Sequence, residues 1–183
     1  MQLRFACACV IVLGAWPGVT QAQERAASYL TAAEIDAVLK APEGGVDRQL
    51  GVYDIGDSNV AVGILHRGAM SATDEVTGIV HHQVTEVYYI VSGSGLLTTG
   101  GRLVDAQPRA VDSESVTVLV GPSDAGIGRG GETRRVDPGD IIVIPAGVFH
   151  GWSGIDDHVT YLSVRPDPDQ VLPAGYLNPA IRK

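Results

Sequence analysis

Apolar positions along this chain follow two rhythms. Between residues 32 and 40 they recur at helical spacing, with Ile35, Val38 and Leu39 on one face. Thr31 and Glu34 have the spacing of a capping box, and Leu30 can staple against Ile35. Pro42-Glu-Gly-Gly ends the pattern, so a short amphipathic helix over 32–40 is predicted. From Gln49 the rhythm changes. Residues 50–55, 60–66, 77–83, 86–92, 95–99, 116–120, 141–144 and 159–164 are short, β-rich runs separated mostly by Gly, Ser, Asn and Asp. About eight strands and one helix, without helix–strand alternation, exclude a doubly wound parallel sheet and predict an all-β, double-sheet jelly roll. The Gly-rich stretch 121–131, GPSDAGIGRGG, does not lead from a strand into a helix, as a dinucleotide-binding loop must; it is expected to be a turn or flexible loop. Pro166, Pro168, Pro173 and Pro179 predict a tail running extended over the surface.

The first residues change the expected compartment. Arg4, an apolar run from Phe5 to Trp16 and a small-residue end at Ala22 have the order of a secretory signal peptide, too short in its apolar part to span a bilayer. The chain therefore divides into a signal peptide (1–22), a helix and lead-in strand (23–57), a barrel domain (58–166) and a Pro-rich tail (167–183), exported to the periplasm or secreted. Both cysteines, Cys7 and Cys9, lie in the segment to be removed, so any metal must be held by nitrogen and oxygen. The formal net charge of −8 loses one positive charge with Arg4, which argues against nucleic acid and anionic membrane surfaces as partners.

Chemistry concentrates in two stretches. In GDIIVIPAGVFHGWSG (139–154), a short strand, a Pro-Ala-Gly turn and a histidine follow one another, with the spacing Gly139-x5-Pro145-x-Gly147-x2-His150. This resembles the second signature motif of the cupin superfamily, with Gly154 where the family pattern has Asn. In HHQVTEVYYIVSGSG (81–95), Glu86-x6-Gly93 resembles the first cupin motif, in which two histidines two apart precede the Glu. The resemblance implies a cupin-type double-stranded β-helix, or jelly-roll barrel, with a short N-terminal helix. It also implies two histidines and one carboxylate around one divalent metal ion inside an apolar cup.

The register of the first motif admits several readings. With His82 as the ligand, the spacer to Glu86 is three and the other histidine place is Val80. With His81, the spacer is four; if His81 instead stands first, Gln83 takes the second place and offers an amide oxygen. Adjacent residues of a regular strand face opposite ways, so one of the two histidines faces the cup. The shorter allowed spacer favours His82, giving His82, Glu86 and His150 as the expected ligands, with His81 and Gln83 as the alternative. Two histidines and a carboxylate suit Fe, Mn, Ni, Co or Zn.

Tyr88 shares a face with Glu86 and is the candidate proton donor. Trp152 is a candidate pocket floor, and Tyr161 and Arg165 share a parity on the last strand, where Arg165 could take a carboxylate. His66, His158, Arg134 and Arg135 read as surface residues, and no Ser-His-Asp order or paired-carboxylate pattern stands out. The expected function is metal-dependent chemistry on a small organic molecule, either oxygenase-type or that of an isomerase or lyase. A non-catalytic module that binds a small ligand is the alternative, and a homodimer is admitted.

Overall fold

In chain order, residues 26–42 and 44–181, which the computed structural model describes, form α1 (Ala32–Lys40), β1 (Asp47–Asp54), β2 (Asn59–Met70), β3 (Thr77–His81), β4 (Glu86–Thr99) and β5 (Arg102–Pro108). They continue through a π-helical turn (Ser115–Leu119) to β6 (Ser123–Arg129), β7 (Glu132–Val136), β8 (Ile141–Ile144) and β9 (His150–Asp167). The expected signal segment, 1–22, lies outside the described residues.

β4 and β9 carry the architecture, pairing antiparallel from Val87↔Val164 to Thr99↔His150. Near one end of this pair, β9 is flanked by β2 and β4 by β8; near the other, β4 is flanked by β7 and β9 touches β3, which continues through β6 to β5. The two long strands thus pass from one sheet into the other, through register shifts between Ile90 and Ser92 and between Gly93 and Gly95. The result is an all-β jelly roll, as the strand pattern predicts.

Alternation places the core. On β4, Glu86, Tyr88 and Ile90 point inward while Tyr89 and Val91 face out. Tyr88, Ile90, Leu97, Ile144, Trp152, Val159 and Tyr161 fill the space between the sheets. α1 has the expected capping box, Thr31 with Glu34, and packs Val38 against Leu50 and Ile64 outside the barrel. β1, read as a lead-in, pairs with β2 along its length. The tail does not simply skirt the surface: Leu172 is buried beside Val52 and Ala61, and Asn178 Nδ2 donates to the Gln49 carbonyl at 2.7 Å.

Three expected segments differ. Residues 116–119 fall in the π-helical turn instead of a strand, because Ser113 and its neighbours close local bonds: Ser113 Oγ donates to the Ala110 carbonyl at 2.6 Å and Thr117 Oγ1 to the Ser113 carbonyl at 2.9 Å. The Gly-rich stretch contains a strand, β6, pairing with both β3 and β5. β3 stops at His81 and does not reach Gln83: the His82 amide still donates in register to the Pro122 carbonyl at 2.9 Å, but Pro122 has no N–H to return the bond.

Candidate metal centre

Three elements deliver one cluster. β3 ends on His81, β4 begins on Glu86, and β9 begins on His150, so the turns between them gather all three side chains at one place in the barrel. The Pro145-Ala-Gly147 turn is tied to the first motif, for the Gly147 amide donates to the His81 carbonyl at 2.7 Å. Gly147 makes this turn at φ +82°, a conformation that costs glycine little. Gly78 lets β3 press on β9; a Cβ there would lie 2.2 Å from the His150 carbonyl oxygen and 2.6 Å from the Phe149 ring.

The histidine tautomers follow from their partners. Ser123 Oγ donates its one proton to the Gly121 carbonyl (2.9 Å), so it accepts from His81 Nδ1 (2.9 Å). His150 Nδ1 lies 3.1 Å from the Val148 carbonyl, which can only accept. Both Nδ1 atoms therefore carry hydrogen, and in a neutral ring each Nε2 offers a lone pair. Burial pushes the His81 pKa down, beyond what Glu86 restores, and favours that neutral ring.

Both Nε2 atoms stand 3.1 Å from the same carboxylate oxygen, Glu86 Oε2. His150 Nε2 is buried without a hydrogen bond. Two lone pairs aimed at an anionic oxygen repel unless a cation sits among them. Ligand atoms about 2.1 Å from one ion and at roughly a right angle to each other stand about 3 Å apart, so the spacing suits a metal. The donor set passes this test: two neutral imidazoles and a carboxylate fit Fe, Mn, Co, Ni or Zn.

Glu86 is oriented from behind. Its Oε1 accepts from Ser163 Oγ at 2.8 Å and Arg165 Nε at 3.0 Å, while Oε2 accepts from Tyr88 OH at 2.8 Å. Burial pushes the Glu86 carboxyl up, but the Arg165 charge leads the effects that outweigh it and hold the group well below the usual range, hence ionised. Burial and the Glu86 charge raise Tyr88 well above the ordinary phenol. Arg165 is wholly buried and also donates to Asp47 Oδ2, to Gln49 Oε1 (2.7 Å) and to the Leu119 carbonyl (3.2 Å). It serves the protein's own acceptors, which corrects the reading of Arg165 as a carboxylate-binding residue.

The favoured register is corrected as well. His82 points outward, its side chain 45% exposed and its Nε2 3.2 Å from Asp124 Oδ2, whereas His81 is 5% exposed and inside. The shorter spacer failed as a guide because residues 82–85 are a turn, not strand. Gln83 turns away too, donating to Asp169 Oδ2 at 3.2 Å. Trp152 and Tyr161 are buried close to the cluster, with the Tyr88 and Tyr161 ring centroids 4.5 Å apart. His66 bonds Thr160 Oγ1 at 2.8 Å and His158 lies beside Asp157, away from the cluster. Sequence reasoning missed Ser123, Asp47, Gln49 and Ser163; only the alternation on β9 that pairs Ser163 with Arg165 carried any signal. The cluster opens into a cavity of about 560 Å³.

A jelly roll whose β4 and β9 each span two sheets, with both histidine-bearing turns at one cavity, is a double-stranded β-helix barrel. No protein-family model and no curated protein matches the chain. Among solved structures, it is similar to the DMSP lyase DddQ of Ruegeria pomeroyi (19% identity, TM-score 0.36), covering 60% of this chain but only 39% of the lyase. It is also similar to a Bacillus halodurans protein (16% identity, 82% and 87% coverage, TM-score 0.45). A third, from Klebsiella pneumoniae, is an uncharacterised protein with a double-stranded β-helix domain (15% identity, 80% and 93% coverage, TM-score 0.40).

Proposed function

We propose that this chain is an exported, metal-dependent cupin-type protein that transforms a small organic molecule in its barrel. The ligands are His81, Glu86 and His150. The observation that carries the reading is the convergence of two imidazole lone pairs on one ionised carboxylate oxygen, at 3.1 Å each. A divalent ion bound there supplies Lewis acidity toward an oxygen of the bound molecule, the chemistry shared by oxygenase and isomerase or lyase readings.

The chain's own residues do the rest. Ser123 and the Val148 carbonyl hold the two rings in the ligating tautomer, and Ser163 with Arg165 turns Oε2 toward the cavity. Tyr88, beside Glu86, is the proton donor or acceptor nearest the reacting space. Leu65 and Trp152 give that space part of its apolar wall. One observation favours a second reading, passive binding of a small ligand: the Tyr88 proton is engaged by Glu86 and held tightly, which makes it a reluctant acid.

Export rests on the order of charge, apolar run and small residues in 1–22. Elemental analysis and intact mass of the protein recovered after export test the proposal together. One divalent ion per chain and a mass beginning near Gln23 are expected. A chain that takes up no ion contradicts the metal reading, and an intact Met1 contradicts export.

A further inference from the structure

A second charged group shares the cavity with the cluster. Arg67 lies on the inward-facing parity of β2, following Ala61, Gly63 and Leu65, and lines the cavity as His81, Glu86 and His150 do. Its Nε donates to Tyr161 OH at 3.1 Å, which anchors one edge of the guanidinium. Tyr161 is itself fixed by packing on Tyr88 and by a 3.4 Å hydrogen bond from Trp152 Nε1. Among the described residues Arg67 makes no ion pair. Its Nη atoms have no hydrogen-bond partner there either, so the fork remains to be satisfied by what enters the cavity.

The contrast with Arg165 is instructive. That cation is enclosed by Glu86 and Asp47, each of which gives it one oxygen, while the other Asp47 oxygen, Oδ1, lies buried without a hydrogen-bond partner. At the cavity wall Arg109 and Asp105 carry opposite charges. With a divalent ion on the cluster, the lining is net positive, although the chain as a whole is acidic at −8. Such a field in a low-dielectric cup selects anions and repels cations.

We infer that Arg67 is a substrate-recognition residue, and that the molecule taken up is a small organic acid whose carboxylate pairs with the Arg67 guanidinium while another oxygen faces the cluster. This deepens the metal reading and rests on it. A planar guanidinium held at Nε presents its Nη donors to carboxylate geometry, and a charge-assisted pair shielded from water supplies both affinity and orientation.

Calorimetric titration with succinamate and succinamide, which differ in the one carboxylate, tests this on manganese-loaded and metal-free protein. The wild type should bind succinamate about tenfold more tightly than succinamide. Arg67→Gln should bring the two within about twofold, and Arg67→Lys should keep part of the preference. Equal binding of the two by the wild type overturns the inference, whether or not a variant folds. So does an undiminished preference in Arg67→Gln. Manganese uptake, followed separately by electron paramagnetic resonance, reports on the metal reading alone; the metal-free titration still reads the Arg67 preference if uptake fails.

Discussion

Arg165 decides which face of Glu86 meets the cavity. Its Nε and the Ser163 hydroxyl occupy Oε1, leaving Oε2 to Tyr88 and the two imidazoles. The same guanidinium holds Asp47, whose pKa burial pushes up against the pull of Arg165. Removing it would leave two carboxylates, Glu86 buried and Asp47 half-buried, without their counter-charge. Arg165→Gln should therefore cost about 3–5 kcal/mol of stability, measured by urea denaturation. A loss below about 1 kcal/mol would show that the network is not what holds the barrel floor. At this scale Glu86 and His150 were legible, because the Glu86-x6-Gly93 and Pro145-x-Gly147-x2-His150 spacings are local. The inward parity of Arg165 was legible too, but its partners were not, since Asp47 and Gln49 lie more than a hundred residues away.

Among the elements, β3 determines how firmly His150 is seated. Gly78 lies against the His150 carbonyl and the Phe149 ring, and there is no room for a methyl group. Gly78→Ala should lower stability by about 1–3 kcal/mol and weaken metal binding by displacing His150. Thermal denaturation with a metal titration checks this, and no change in either would contradict the packing described. The same close packing explains why β6 was hidden. A Cβ at Gly126 would meet the Val104 carbonyl at 2.5 Å and one at Gly128 the Phe149 ring at 2.3 Å, so its glycines mark close contact with neighbours, not a loop. β5 and β7 escaped notice for another reason. Both are sheet edges with mostly exposed side chains, so no apolar alternation marks them. The strand expected at 116–120 was lost to Ser113, whose local bonds outcompete the β-propensity of its valines.

Across the whole molecule, one arrangement joins these scales: two sheets sharing β4 and β9, with a cavity between them that both motifs reach. α1 covers the outer face of β1 and β2 around Leu50 and Ile64, while Leu172 of the tail packs at their inward face beside Val52 and Ala61. The jelly roll was legible because eight runs of β-rich residues need no partner to be seen. The inward histidine was not, because it depends on where β3 stops, and Pro122 on a distant segment sets that point. The account centres on His81, not His82, completing the metal centre. Metal content of chelator-treated, reloaded protein, measured by inductively coupled plasma mass spectrometry for His81→Ala and His82→Ala, tests it most directly. His81→Ala should lose most of its metal while His82→Ala retains about one ion per chain. Retention in His81→Ala with loss in His82→Ala would contradict the account.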